Sequence, residues 1–220
     1  MKAVVLFTGG KDSCYALHEA VKQGYEPILL IMKSRNPDSW MYHAPVDLAD
    51  FYSEITGFKT YIFETEGIKE EEVEDLYKVL KEIKEKENFE AIFTGAIASR
   101  YQRDRVLKVA ERLGVKVINP LWGIDPAEYM RRIVRQFEIL IIKAAAEGMD
   151  RWLGVTLNED NVEELLRDAA KYRFHAAFEG GEAETLVLDA PLYKKRIVIE
   201  EAEKEGNVLR IKKFKLVDKA

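Results

Sequence analysis

Apolar and polar positions follow two rhythms along this chain, and the places where the rhythm switches mark the elements. An apolar run from Ala3 to Phe7 predicts a buried strand. Thr8, Gly9 and Gly10 break it. From Asp12 the spacing is helical, with Cys14, Leu17 and Val21 on one side and Gly24 as a C-terminal cap. Pro27 to Met32 is a second apolar strand, followed by a polar and aromatic loop from Lys33 to His43. Val46 to Thr56 fits a helix, with Leu48, Phe51, Tyr52 and Ile55 on one face and Gly57 at its end. Phe58 to Phe63 reads as a third strand. Ile68 to Glu87 reads as a long amphipathic helix striped by Val73, Leu76, Tyr77, Leu80 and Ile83. Phe89 to Thr94 is a fourth strand. A helix then runs to Leu113, where Gly114 caps it, and Val115 to Asn119 is a fifth strand. This alternation predicts an α/β fold, a Rossmann-like doubly wound parallel sheet with right-handed crossovers.

Pro120, Gly123 and Pro126 mark a boundary, and the rhythm changes after it. Pro126 to Phe137 looks helical, Glu138 to Lys143 is a strand or the continuation of that helix, and Trp152 to Thr156 is a short strand. Asn161 to Tyr172 is a helix, with Val162, Leu165, Leu166 and Ala169 inward. Thr185 to Asp189, Arg196 to Glu200 and Val208 to Leu216 read as strands, the last two joined by a turn at Glu205-Gly206-Asn207. The expected organisation is therefore an α/β domain over residues 1–122 and a smaller α+β domain over residues 123–220.

Composition narrows the partners. The 220 residues are 47% hydrophobic, enough for a real core. Charged residues reach 33%, many of them Lys and Glu, which leans toward a heat-adapted organism. Lys plus Arg is 34 against 39 Asp plus Glu, a net charge of −5, which argues against a broad nucleic-acid surface. Cys14 is the single cysteine, so an internal disulfide and a thiolate metal cage are both excluded. No leader peptide or long apolar run is evident, so the expected setting is cytoplasmic with no membrane partner. Oligomeric state, including a homo-oligomer, stays open.

Four stretches carry candidate chemistry. The first is T-G-G-K-D-S, Thr8 to Ser13, at the first strand-to-helix turn. Backbone N–H groups at a helix N-terminus suit an anion, glycine permits close approach, and Lys11 adds charge. The usual phosphate loop would need glycine at Val5 and a hydroxyl at Asp12, so the pattern differs from it. A plain junction capped by Thr8, Asp12 or Ser13 is the other reading. The second stretch is the Lys33–His43 loop, which follows a strand's carboxyl end, where open α/β sheets bind ligands; the alternative is a loop whose Trp40 and Tyr42 merely cover core. The third is A-I-A-S-R-Y-Q-R-D-R, residues 96 to 105, in a similar place. The fourth is F-E-G-G-E-A-E-T, Phe178 to Thr185, where three carboxylates flank a glycine turn. They can bind a cation, hold Mg²⁺ with a phosphate or act as a base, or simply form a solvated turn. The histidines show no metal-ligand spacing, so a zinc site is not expected. His18 reads as structural. A Ser13–His43 nucleophile pair lacks the G-x-S-x-G elbow of hydrolases.

Thr8 to Ser13 resembles the S-G-G-x-D-S loop of the ATP pyrophosphatases, with Thr8 in place of the first serine. The S-x-N-x-x-S-W-M-Y-H stretch from Ser34 to His43, G-A-I-x-S-x-Y-Q-x-x-R from Gly95 to Arg105, and E-G-G-E-x-E-T from Glu179 to Thr185 narrow the resemblance to the diphthine–ammonia ligase branch. One departure is Phe178, where that family is expected to carry a small residue, often glycine.

The resemblance implies an adenine nucleotide alpha hydrolase-like (HUP) fold with ATP and Mg²⁺ as cofactors. It implies amidation of diphthine on translation elongation factor 2 with free ammonium, through an acyl adenylate, and a thermophilic archaeal source. Thr8, Gly9, Gly10, Lys11, Asp12 and Ser13 would hold the phosphates, with Asp12 also toward Mg²⁺. Met32, Lys33, Gly95, Ser99 and Arg105 would border the nucleotide, and His43 would reach the α-phosphate or adenylate. Glu179, Glu182 and Glu184 would serve the acceptor side with Gly180, Gly181 and Thr185. Ser34, Asn36, Tyr101 and Gln102 would contact substrate, and Trp40 or Tyr42 would stack on the trimethylammonium group. The rival readings are a tRNA-modifying ATP pyrophosphatase and a non-catalytic adenine-nucleotide-binding module.

Overall fold

The computed structural model describes residues 1–35, 48–97 and 99–220. Five strands form the first sheet: β1 (Lys2–Leu6), β2 (Glu26–Ser34), β3 (Thr60–Thr65), β4 (Ala91–Phe93) and β5 (Lys116–Ile118). They lie in the order β3-β2-β1-β4-β5, all parallel. Alternation of side chains assigns the faces. Val5, Leu29, Ile31 and Phe93 face helix α1 (Lys11–Lys22), with its Cys14 and Leu17. Val4, Ile28, Leu30 and Ile92 face the other way. There they meet Leu76, Leu80 and Ile83 of α3 (Glu71–Glu87) and Val106 and Val109 of α4 (Arg100–Leu113). Helices therefore cover both faces, which makes the sheet the doubly wound one expected.

The second sheet is antiparallel. It runs β7 (Thr156–Leu157), β6 (Glu138–Ala144), β10 (Val208–Asp218), β9 (Lys195–Glu205), and β8 (Ala183–Asp189) also pairs with β6. Helices α5 (Pro126–Ile133) and α6 (Val162–Tyr172) accompany it. Its core is continuous with the α1 side of the first sheet: Phe137, Ile139, Val187 and Tyr193 share one cluster with Leu17. His18, on α1, joins the two directly. One ring nitrogen lies 2.7 Å from the Cys14 carbonyl oxygen, and the other accepts the Leu192 N–H at 3.1 Å. Burial holds this imidazole below its usual pKa, as suits a structural residue.

Several boundaries move from expectation for physical reasons. Glu138 to Ala144 is a strand, because it is paired on both edges and buried along most of its length. Helix α5 accordingly stops at Ile133. Trp152 belongs to a short 3₁₀ turn, Asp150–Trp152, with its indole N–H on Asp168 at 2.8 Å, and the strand starts at Thr156. β9 extends to Glu205 because cross-strand pairing with β10 continues to the hairpin tip. The second helix is shorter than predicted: Ala49–Phe51 is 3₁₀ and α2 spans Tyr52–Thr56, while residues 46–47 lie outside the described ones. No helix among the described residues is long and apolar enough to cross a membrane.

A polar cluster ties the end of α3 to the start of the first sheet. Glu87 accepts from Lys2 at 2.9 Å and from the Tyr61 hydroxyl at 2.7 Å, and also pairs with Lys59. Lys59, then Lys2 and Tyr61, hold its carboxyl down at about 2. A carboxyl lowered in the folded state stabilises above its unfolded range and loses that contribution as pH falls through the folded value. E87Q should therefore cost about 1–2 kcal/mol at pH 7. In paired denaturant melts, the gap to the parent protein should shrink as pH is lowered toward about 2. A gap independent of pH would contradict this.

Candidate functional site

A cavity of about 350 Å³ opens at the carboxyl ends of the parallel strands. Its floor is the turn from β1 into α1. Gly9 has φ +83, and a Cβ there would lie 1.9 Å from the Tyr52 hydroxyl, so only glycine fits. Thr8 N–H donates to Ser13 Oγ at 3.0 Å, and Gly10 N–H donates to Thr8 Oγ1 at 3.2 Å. The two hydroxyls expected to bind a ligand thus also shape their own loop. Thr8, Gly10, Lys11, Asp12 and Ser13 all line the cavity. Gly10 caps α1 without a side-chain bond. The backbone N–H groups of Asp12 and Ser13 have no acceptor among the described residues, while that of Lys11 donates to Thr185 Oγ1 at 3.1 Å. Unpaired N–H groups at the start of a 12-residue helix provide a place for an anion.

The second sheet supplies the facing wall. Thr185 holds the Lys11 amide, and Val187 N–H donates to the Gly9 carbonyl at 2.9 Å. Lys11 itself is only 2% exposed. Its ammonium donates to both Asp12 oxygens at 2.9 Å and to the Ala177 carbonyl at 2.8 Å. It sits 5.3 Å from the Phe178 ring centroid and 5.6 Å from that of Tyr129. The Tyr129 hydroxyl donates to Asp12 at 2.8 Å, and burial first, then Asp12, pushes this phenol well above its usual range. Lys11 is therefore directed into the seam between the two sheets. Both Asp12 oxygens are engaged by protein. Among the described residues no three His, Cys, Asp or Glu gather as metal ligands.

The three acids of the glycine turn have three different surroundings. Glu179 accepts two backbone N–H groups, from Ile97 at 3.2 Å and Ser99 at 3.1 Å. Glu182 folds back on its own turn, accepting from Gly180 N–H at 2.9 Å and His175 N–H at 3.3 Å. Glu184 lines the cavity and pairs with Lys143 at 3.4 Å. Glu179 and Gly181 also line it. His175, isolated in sequence, braces the turn, its Nδ1 accepting from Ala177 N–H at 3.2 Å and Glu179 N–H at 3.4 Å.

The third stretch forms another wall. Gly95 lies so close to α1 that a Cβ would come 2.6 Å from the Asp12 carbonyl carbon. Gly95, Gln102 and Met32 line the cavity. Ser99 caps α4, accepting from Gln102 N–H at 3.4 Å. Arg105 turns away: it pairs with Glu70 at 2.5 Å and stacks on Tyr101 at 3.2 Å. Tyr101 is exposed, and Lys33, Ser34 and Gly180 are not lining residues. Asn36, Trp40, Tyr42 and His43 lie outside the described residues. Cys14 is fully buried, and burial pushes its thiol far up, so it is no nucleophile.

Tyr129, Tyr52 and His175 were not singled out from the sequence as site residues. Tyr129 occupies an ordinary apolar position in an amphipathic helix, and no motif marks it. Phe178, the expected departure from the family pattern, sits in a backbone conformation that favours glycine. It has φ +64, in the left-handed region, while its buried ring packs on Lys11 and Phe174.

Comparison with known proteins gives a consistent set. The family model for the diphthamide synthase N-terminal domain matches residues 1–117, and that for the diphthamide synthase C-terminal domain matches residues 125–217. The chain is 37% identical to a diphthine–ammonia ligase of Rattus norvegicus, over 92% of this chain and 84% of that protein. It is 36% identical to the Homo sapiens protein of the same name, with the same coverage. It is 37% identical to the Schizosaccharomyces pombe one, covering 92% of this chain but 37% of that longer protein. A crystal structure from Methanocaldococcus jannaschii, described as a predicted subunit of tRNA methyltransferase, aligns with TM-score 0.48 at 22% identity, covering 87% of this chain and 98% of that one.

The Phe178 geometry makes a direct prediction. F178A loses the buried ring and keeps a Cβ at positive φ, so it should cost about 3 kcal/mol. F178G loses the same ring but relieves the left-handed strain, and should be about 1 kcal/mol less costly. Denaturant melts of the two variants would show the reverse of this order if the backbone were unstrained.

Proposed function

The chain belongs to the diphthamide synthase family, and from that premise we propose that it is the ATP-dependent ligase that completes diphthamide. The diphthine carboxylate on translation elongation factor 2 attacks the α-phosphorus of ATP, giving an acyl adenylate and pyrophosphate. Ammonia then displaces AMP and leaves the amide. The observation that carries this reading is a cavity lined both by the open N–H groups of α1 and by the glycine turn with Glu184. The first suits the leaving pyrophosphate and the second a cationic or protonated nucleophile.

The residues divide accordingly. Asp12 and Ser13 offer backbone donors to the β- and γ-phosphates, with Gly10 beside them at the cavity lining. Met32 and Gly95 border the nucleoside, with Gln102 beside them. Mg²⁺ enters with the triphosphate, since Asp12 is already paired to Lys11 and Tyr129. Lys11 stabilises the charge of the loop from inside the seam. Glu184 orients ammonium and takes its proton as the amide forms. In this reading residues 1–122 bind nucleotide and residues 123–220 the acceptor. The proposed setting is cytoplasmic and the proposed source a thermophilic archaeon; the many surface ion pairs, such as Arg131–Glu163 and Arg196–Glu138, bear on the heat adaptation.

The test mixes the protein with ATP, Mg²⁺, ammonium and diphthine-bearing elongation factor 2. AMP should appear together with the small mass loss of a hydroxyl replaced by an amino group, both requiring the factor. AMP without that mass change would favour adenylation of another acceptor, and ATP binding without AMP a nucleotide-binding module. E184Q should lower amide formation about 100-fold while ATP–pyrophosphate exchange persists. Unchanged amide formation in E184Q would remove Glu184 from the acceptor chemistry.

A further inference from the structure

We propose that Glu179 is a positioning residue that latches the nucleotide-side wall of the cavity to the glycine turn, and that it is not the acid or base of the reaction. The inference rests on the ligase reading for what the wall contacts, but its geometry stands independently. One carboxylate oxygen of Glu179 receives the N–H groups of Ile97 and Ser99. These belong to the segment between β4 and α4, some 80 residues away in the chain. Ionised acceptors form the stronger hydrogen bonds, and two on one oxygen fix a backbone segment in both position and orientation.

The segment so held is part of the site. Gly95 and Ala96 line the cavity, and Gly95 packs against the carbonyl of Asp12. Ile97 is 2% exposed, so the segment is anchored in the core at one end and by Glu179 along its edge. Ser99 then caps α4, and Gln102 of that helix lines the cavity as well. The outer edge of this wall, at the Ile97 and Ser99 amides, is therefore held by the Glu179 carboxylate. The latch is itself held from behind, because His175 Nδ1 receives the Glu179 N–H.

The arrangement also accounts for a carboxylate next to a polyphosphate site. Left open, its charge would repel the nucleotide. Here it faces backbone N–H groups at the start of a 14-residue helix, where the helix dipole favours an anion. Two backbone N–H groups already meet the Glu179 charge on one oxygen, which is the geometry of a positioning group. Glu184, whose only polar partner among the described residues is Lys143, is the acid that meets the acceptor.

Three substitutions separate position from proton transfer. E179A removes the acceptor, E179Q keeps a neutral acceptor oxygen of equal reach, and E179D keeps the charge on a shorter stem. Three quantities are read on the full chain: hydrogen exchange of the Ile97 and Ser99 amides, the Kd for ATP, and kcat at saturating ATP and ammonium. In E179A and E179D the two amides should lose protection and the Kd should rise about tenfold or more, with kcat within about threefold of the parent. E179Q should recover protection and most of the affinity. A kcat loss far beyond threefold in E179Q, with the two amides still protected, would make Glu179 an acid or base and overturn the proposal. Unchanged protection of Ile97 and Ser99 in E179A would overturn it as well. Changed protection and Kd, in a protein whose parent form makes no amide, would support the latch and sink only the ligase reading.

Discussion

Lys11 is held by the second half of the chain twice, once through its amide and once through its ammonium. The amide donates to Thr185 and the ammonium to the Ala177 carbonyl and Asp12. Val187 adds a backbone bond to Gly9 beside them. The turn that opens onto the cavity is therefore shaped by a strand of the other sheet, and the cavity exists only because both sheets are present. A lysine this deeply buried needs its charge met, and here a carboxylate, a carbonyl and two aromatic faces meet it. Those same groups fix the glycine turn from Ala177 onward. The phosphate-side loop and the acid-bearing turn are in this sense one structural unit.

Such coupling gives the proposed chemistry a physical basis. Adenylation needs three reacting groups in register: a triphosphate, a carboxylate and later a nucleophile. Holding them in a pre-shaped cavity, with donors already directed at the anion, supplies orientation without reorganisation at the moment of reaction. The division of the three glutamates follows from the same economy of space. Two accept backbone N–H groups and build the turn, while the Glu184 carboxylate meets a side-chain partner, Lys143.

Much of the fold was legible because its parallel strands are buried on both faces and read as apolar runs between glycine breaks. β1, β2 and β4 were found this way, as was α1 with its N-terminal turn. The second half was less legible. Its strands are held by cross-strand pairing, so the start of β7 and the full length of β9 depend on a register that the pattern of either strand alone does not reveal. The site shows the same limit. Motif spacing picked out the glycines, the acids and Thr185 as candidates, and it carries no direction of a side chain. Arg105 stacks on Tyr101, and Lys11 lines the cavity while sending its ammonium into the seam. Tyr129 has no local signal because it acts through a contact with Asp12 made only on folding, and His175 belongs to no motif although the amides it accepts from are near it in the chain.

The central claim is that a carboxylate oxygen of the acceptor attacks ATP. The most direct measurement uses diphthine whose carboxylate carries heavy oxygen, and follows the label by mass after a single turnover with ammonium. The account predicts one heavy oxygen in the phosphate of AMP. AMP free of label, with the heavy oxygen released elsewhere, would contradict it.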